Sequence, residues 1–89
     1  MPPTERFILK FINAAQRDFD GLTKNLQFRI VERLRGLETD PYPPQSVKLS
    51  GRDDVYRLRI GDYRALYRIE IVNRIIWITR IAHRREVYR

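Results

Sequence analysis

Two runs of alternating apolar and polar residues, Val55–Ile60 and Tyr63–Ile69, are separated only by Gly61 and Asp62. Alternation of this kind is typical of a β-strand with one buried face. A Gly-Asp pair between two such runs is a strong signal for a β-hairpin, because glycine adopts the positive φ of a tight turn without steric cost. The pattern therefore predicts two antiparallel strands joined by a two-residue turn.

The period of two residues along a strand sorts this hairpin into an apolar face and a basic face. The predicted core face consists of Tyr56, Leu58, Ile60, Tyr63, Ala65, Tyr67 and Ile69. The other face carries Arg57, Arg59, Arg64 and Arg68 around Leu66. A two-residue turn places Arg59 directly opposite Arg64, and like charges in that position destabilise a sheet. A polyanion bound to this face would remove the repulsion.

The remaining pattern predicts one strand and two helices before the hairpin, and one strand after it. The first strand covers Arg6–Ile12. Asn13 is then expected to cap a first helix, with Gln16 completing a capping box, and Gly21 to end it. Thr23 is expected to cap a second helix, whose apolar stripe consists of Leu26, Ile30, Leu34 and Leu37.

A further apolar run, Ile75–Ile81, predicts a last strand after a turn near Val72 and Asn73. The order β-α-α-β-β-β predicts an α+β fold. It consists of an N-terminal strand, an antiparallel helical hairpin and a mainly antiparallel sheet that the helices cover on one face. Residues 1–89 are expected to form a single domain.

Composition narrows the class of protein. The 89 residues include no cysteine, which excludes disulfides and Cys-based metal sites, and we expect neither a metal nor another cofactor. No segment has the run of about 18 apolar residues that a membrane span needs. The N-terminus lacks the basic start and apolar run of a secretory signal, so a cytoplasmic location is expected.

The net charge of +7 is unevenly distributed along the chain. Residues 1–47 contain seven Lys and Arg against six Asp and Glu, whereas residues 48–89 contain eleven against five. Ten of those eleven are arginine, which binds phosphate with a fork of N–H donors. A nucleic acid is therefore the expected partner.

Four short motifs resemble a known family. They are Lys48-Leu-x-Gly51, Tyr56-Arg-Leu-Arg-x-Gly-Asp-Tyr-Arg64, Leu66-Tyr67 and Ile81-Ala-His-Arg-Arg-Glu-Val-Tyr88. In order and spacing the chain resembles the RelE branch of the RelE/ParE toxin superfamily of type II toxin–antitoxin systems. The resemblance implies an endoribonuclease that cleaves mRNA, typically in the ribosomal A site, by attack of a 2′-hydroxyl on the adjacent phosphate. It also implies a cognate antitoxin, expected to wrap the domain with an acidic or amphipathic segment.

The same resemblance implies roles for individual residues. Arg57 and Arg59 correspond to basic catalytic or phosphate-binding positions, although the family often has lysine where this chain has Arg57. Arg64 corresponds to the arginine that stabilises the scissile phosphate. Arg84 corresponds to the arginine proposed to protonate the leaving 5′-oxygen, and Tyr88 to the aromatic residue that orients or stacks a base.

A guanidinium group is never neutral in a protein, so Arg57 is a poor general base. His83 is the only histidine and the candidate base, since imidazole titrates near neutral pH. Any even-numbered turn before the last strand puts His83 on the face of Arg64. Strict alternation then puts Arg84 on the opposite face, unless the strand ends, bends or bulges there.

Further RNA contacts are expected from Lys48, Arg68 and Arg85, with Lys48 as a peripheral phosphate contact. Two other functions remain open at this stage. One is a ParE-like toxin that acts on DNA gyrase by protein binding. The other is a non-catalytic module that binds RNA or the ribosome.

Overall fold

The computed structural model describes residues 6–49 and 54–87, which form a five-stranded sheet with helices. The strands are β1 (Ile8–Phe11), β2 (Ser46–Lys48), β3 (Val55–Ile60), β4 (Tyr63–Glu70) and β5 (Ile75–His83). Their order across the sheet is β1-β5-β4-β3-β2, in which only β1 and β5 pair in parallel. This architecture confirms the predicted α+β fold with a mainly antiparallel sheet.

The helices are α1 (Asn13–Asp20), α2 (Lys24–Arg35) and a short C-terminal α3 (Arg84–Val87), with a 3₁₀ turn at Gly36–Glu38. Thr23 caps α2 as predicted, because its Oγ1 accepts the Leu26 N–H at 3.3 Å. The predicted cap of α1 is wrong. The N-cap is Ile12, and its N–H is bonded to the Ile78 carbonyl of β5 at 3.0 Å, so the helix begins as the chain leaves the sheet.

The helical layer packs on one face of the sheet, as predicted. Its buried residues are Ala15, Ile30, Leu34 and Leu37. They meet a sheet face formed by Leu58, Ile60, Ala65, Tyr67, Ile69, Ile76, Ile78 and Ile81. The Tyr67 hydroxyl donates to the Pro41 carbonyl at 2.7 Å, which ties the connector between α2 and β2 to the core. Burial raises the pKa of Tyr67 to about 12.

The register of the β3–β4 hairpin is the predicted one. Ile60 pairs with Tyr63 and Arg59 with Arg64, around a turn in which Gly61 has φ of 59°. This positive φ is the conformation for which glycine is suited and most other residues are not. The apolar face therefore points to the helices, and the arginines lie on the open face of the sheet.

A β-bulge interrupts the β4–β5 ladder. Tyr67 pairs with Ile78, but Leu66 pairs with Arg80, so Thr79 is an extra residue in β5. Because successive residues point to opposite faces, one extra residue reverses the facing of every residue after it. Residues 80–83 therefore face opposite to the predicted sides.

Two side chains complete the hydrogen bonding at this bulge. The Thr79 hydroxyl donates to the Leu66 carbonyl at 3.2 Å. On the other side, where β1 no longer covers β5, Asp18 of α1 accepts the Ile81 N–H at 2.9 Å and the Arg80 Nε–H at 2.7 Å. The Asp18 carboxylate thus accepts the backbone hydrogen bond of Ile81 at a point where β5 has no neighbouring strand on that side.

Three boundaries also differ from the sequence prediction. β1 is shorter than Arg6–Ile12, and β5 continues two residues past Ile81. β4 continues one residue past Ile69, to Glu70. The turn between β4 and β5 occupies Ile71–Arg74, around Val72 and Asn73 as predicted. The edge strand β2 was not predicted, because its three residues follow a proline-rich connector and are too few to show a period.

Asp18→Ala should lower the free energy of unfolding by about 1–3 kcal/mol, since the buried N–H of Ile81 would lose its acceptor. Arg80→Ala removes only an ion pair whose arginine side chain is 55% exposed, and should cost at most about 1 kcal/mol. Urea denaturation of both variants measures the difference. Equal losses would assign the stabilisation to the ion pair and contradict a role for the carboxylate in capping the bulge.

Candidate nucleic-acid interface

Three of the predicted site residues, Arg57, Arg59 and Arg64, line one cleft on the open face of the sheet. Its remaining wall comes from the segment leading into β2 and is formed by Pro44, Gln45 and Val47. The cleft has a volume of about 400 Å³. None of these six lining residues is acidic, so the arginine cleft, as we name it, is a concentrated site of positive charge.

Arg64 is held in place before any ligand binds. Its Nη1 donates to the backbone carbonyls of Gly61 and Tyr63, each at 3.0 Å. Across the hairpin the Arg59 side chain is exposed, and it makes no hydrogen bond or ion pair with the described residues. One arginine of the facing pair is therefore fixed by the turn, and the other is available to a ligand.

The C-terminal residue Arg84 starts α3 beside the turn of this hairpin. Its N–H donates to the Asp62 carbonyl at 2.8 Å. In β5, Ala82 pairs with Arg64 after the bulge at Thr79, and the strand ends at His83, one residue before Arg84. Arg84 was expected to reach the basic face only if the strand ended, bent or bulged before it. The strand both contains a bulge and ends there.

The predicted position of His83 is wrong. His83 pairs with Tyr63 and packs its ring against that tyrosine with centroids 5.4 Å apart, on the side of the sheet opposite Arg64. The cause is the extra residue Thr79, which the sequence pattern did not reveal. The His83 Nδ1 accepts the Arg85 N–H at 3.3 Å, which is a bond within the start of α3.

The other expected RNA contacts lie outside the arginine cleft. Arg68 forms an ion pair with Asp54 at 3.1 Å, farther along the same face. Lys48 pairs with Tyr56 and is therefore on the helix side of the sheet. Arg85 is exposed in α3, and Tyr88 lies outside the described residues.

The far end of the open face has a different chemistry. Trp77 Nε1 donates to Glu70 at 2.9 Å, and Asn73 also donates to this carboxylate. These hydrogen bonds lower the pKa of Glu70, so the carboxylate is a weak base. The positive charge of the face is concentrated at the hairpin turn, away from this carboxylate.

Two arginines of α2 were missed in the sequence analysis. Arg33 Nη2 donates to the Gln45 Oε1 of the cleft wall at 3.4 Å. Arg29 lies over the hairpin turn, where a Cβ on Gly61 would be 3.0 Å from its Nη2. Their spacing of four residues in a helix is the only signal in the sequence that places them on one side of α2.

The arrangement can bind and polarise a phosphodiester. Three guanidinium groups share one cleft whose described lining residues include no acid, and one of the three is fixed by main-chain acceptors. Preorganised cations of this kind stabilise negative charge that develops on a phosphate during a reaction.

Among the described residues, no helix is long and apolar enough to cross a membrane.

The chain is similar to known toxins in sequence and in fold. A Methanocaldococcus jannaschii protein named "Putative toxin RelE1" is 30% identical over 87 residues, which cover 94% of this chain and 97% of that protein. The crystal structure of the RelE–RelB complex of Pyrococcus horikoshii OT3 contains a chain with a TM-score of 0.78 and 28% identity, covering 89% of this chain and 96% of that one. The toxin–antitoxin complex RelBE2 of Mycobacterium tuberculosis matches with a TM-score of 0.78 and 26% identity, covering 88% and 98%.

A family model described as the ParE toxin of type II toxin–antitoxin system, parDE, matches residues 9–88. This match spans most of the chain and includes both the helices and the arginine-bearing hairpin. The resemblance noted from the four motifs is thereby confirmed. The chain belongs to the RelE/ParE superfamily of toxins of type II toxin–antitoxin systems.

Proposed function

We propose that this toxin is an endoribonuclease that cleaves mRNA, with the ribosomal A site as its place of action. The observation that carries the proposal is the arginine cleft, in which Arg57, Arg59 and Arg64 converge and the six described lining residues include no acid. A site that only had to bind a protein would not require like charges to face each other across a hairpin.

In the proposed reaction the 2′-oxygen of a nucleotide attacks the adjacent phosphorus, and the bond from phosphorus to the 5′-oxygen breaks. The products are a 2′,3′-cyclic phosphate and a 5′-hydroxyl. Arg59 and Arg64 stabilise the charge of the pentavalent phosphorane, with Arg57 as a further phosphate contact. The Arg84 guanidinium donates a hydrogen bond to the leaving 5′-oxygen, and this oxygen takes its proton from solvent; the backbone position of Arg84 beside Asp62 is consistent with this role.

The proton of the 2′-hydroxyl needs an acceptor that the described cleft does not supply. The lining residues of the arginine cleft include no carboxylate and no imidazole. His83 faces the other side of the sheet, so we do not assign it this role. The proposed enzyme therefore works by positioning and charge stabilisation, and the ribosome or solvent accepts the proton.

Tyr88 stays the proposed base-stacking residue.

We further propose a cognate antitoxin as the partner that silences this toxin in the cytoplasm. The relatives from Pyrococcus horikoshii and Mycobacterium tuberculosis are both solved as toxin–antitoxin complexes. In this chain the net charge of +7 favours an acidic segment, and Phe28 of α2, 68% exposed, offers an apolar anchor.

A ParE-like inhibitor of DNA gyrase is the second candidate. The family model that matches the chain carries the ParE name, which favours this candidate. A gyrase inhibitor needs a binding surface but no phosphate chemistry, so the two candidates differ in what the arginine cleft must do.

Arg59→Gln and Arg64→Gln should each reduce mRNA cleavage by about 100-fold or more, because each removes a donor to the transition-state phosphate. The stability should change by no more than about 0.5 kcal/mol for Arg59→Gln, since that side chain has no described partner and its loss relieves repulsion. Primer extension on mRNA translated by purified ribosomes measures the cleavage. Arg17→Gln in α1 is the control with the same charge change.

Undiminished cleavage by both cleft variants, with the control equal to wild type, would contradict the proposed chemistry. Inhibition of gyrase supercoiling by the wild-type protein, without any RNA cleavage, would establish the ParE-like function instead.

His83→Gln should keep cleavage within about threefold of wild type and leave the shape of the pH–rate profile unchanged. The reason is the facing of His83 away from Arg64, set by the extra residue in β5. Arg84→Gln, the neighbouring substitution, should lower the rate at least tenfold. A loss in His83→Gln comparable with that in Arg64→Gln would restore His83 as the base.

Expression of this chain alone in bacteria should arrest growth, and co-expression with the adjacent gene should restore it. The complex should survive purification in about 1 M salt, because a Debye length near 3 Å screens surface charge while apolar contacts persist. Phe28→Gln should make the complex sensitive to salt. Dissociation of the wild-type complex in 1 M salt would show that charge alone holds the pair and contradict the apolar anchor.

A further inference from the structure

The α2 side chain of Arg29 lies directly over the hairpin turn of the arginine cleft. Its Nη2 is so close to Gly61 that a Cβ there would approach it to 3.0 Å. The carbonyl of the same Gly61 is an acceptor for Arg64. One turn residue therefore separates a cation of the helical layer from a cation of the sheet.

Arg33 lies one helical turn farther along α2 and reaches the opposite wall of the cleft. Its Nη2 donates to Gln45, which lines the cleft together with Arg57, Arg59 and Arg64. Four helical residues rise about 6 Å, a distance comparable with the separation of neighbouring phosphates along an RNA strand. Arg29 and Arg33 thus add two positive charges next to the arginine cleft, one helical turn apart on α2.

Neither arginine is neutralised by an ion pair with the described residues. No carboxylate of the described residues lies within ion-pair distance of Arg29 or Arg33, and both guanidinium groups are near the surface. Arg59 and Arg64 lie across the same turn, so the arginines there outnumber Asp62, the one acidic residue of the turn. Such an arrangement is unfavourable for the isolated protein and favourable once a polyanion neutralises it.

We infer that Arg29 and Arg33 bind RNA phosphates and extend the binding track of the arginine cleft over the hairpin turn onto α2. This inference rests on the proposed RNA cleavage and adds to it the path that the strand, or an adjoining RNA, follows outside the cleft. Two sources share this chemistry, the mRNA itself and ribosomal RNA.

The test measures RNA affinity of the full chain against salt concentration. The probe is a single-stranded RNA oligonucleotide with 2′-O-methyl groups, which cannot be cleaved, and binding is followed by fluorescence anisotropy. Each lost phosphate contact lowers the slope of log K against log[salt] by about 0.7 for single strands. Arg29→Gln with Arg33→Gln should therefore lower the slope by about 1.4 and the affinity roughly 10- to 30-fold near 0.1 M salt.

Arg35→Gln is the control for loss of a single charge, because it removes one positive charge from the same helix on the side away from Arg29 and Arg33. It should leave the slope within about 0.3 of wild type. Arg29→Lys with Arg33→Lys should restore most of the slope, which separates a phosphate contact from a structural role. A second arm measures co-sedimentation with ribosomes.

A loss with the oligonucleotide assigns the contacts to the mRNA strand, and a loss only with ribosomes assigns them to ribosomal RNA. The inference would be overturned if the double variant had the wild-type salt slope with the oligonucleotide and the wild-type co-sedimentation with ribosomes. It would also be overturned if its RNA affinity fell only as much as that of Arg35→Gln. Unchanged RNA binding with weaker antitoxin binding would also overturn it. If the wild-type protein itself neither binds nor cleaves RNA, the proposed function fails, a result distinct from failure of the α2 contacts alone.

Discussion

One extra residue in β5 determines which side chains reach the end of the sheet where the arginines meet. Thr79 has no partner in β4, and its hydroxyl and the Asp18 carboxylate satisfy the backbone groups that the bulge leaves without a strand. If Thr79 were paired in a regular ladder, His83 would take the side of Arg64, and Ala82 would lie on the side of Tyr63. The bulge thus exchanges an imidazole for a small methyl group next to Arg64, and it turns the following backbone of Arg84 toward the hairpin turn. The side chains that border Arg64 at this end of the sheet therefore depend on the bulge.

Repulsion between the facing arginines of the cleft lowers the stability of the fold, and other interactions must offset this loss. Facing arginines on a sheet cost up to about 1 kcal/mol, a sizeable part of the marginal stability of a small domain. The core opposite supplies the compensation, since Leu58 and Ala65 are fully buried on the reverse side of the same two strands. The hydrogen bonds of Arg64 to the turn then hold one cation in place, so a bound phosphate does not have to order it.

The sequence was sufficient wherever structure is decided by neighbours along the chain. The register of the β3–β4 hairpin follows from Gly61 and Asp62, and the stripe of α2 from its period, so both were predicted correctly. It was insufficient where a distant partner decides. Asp18 is 63 residues from Ile81, and no local pattern links the two. Ile12 starts α1 because its N–H bonds to Ile78 of β5, a contact that overrides the capping preference of Asn13. For the candidate site this means that the hairpin arginines were predictable, whereas the facing of His83 was not.

The position of the α2 arginines follows from the packing of the core. Ile30 and Leu34 are buried against the sheet, and they are one helical turn apart. Each is preceded by an arginine, so Arg29 and Arg33 must both emerge about 100° around the helix from the core direction, on the same flank. Arg35 follows Leu34 and therefore emerges on the other flank. The apolar period that fixes α2 on the sheet thereby also aims two cations at Gly61 and Gln45. Core packing and charge placement are set by the same residues, which is why a helix with an ordinary amphipathic pattern can extend a binding surface built on the opposite layer.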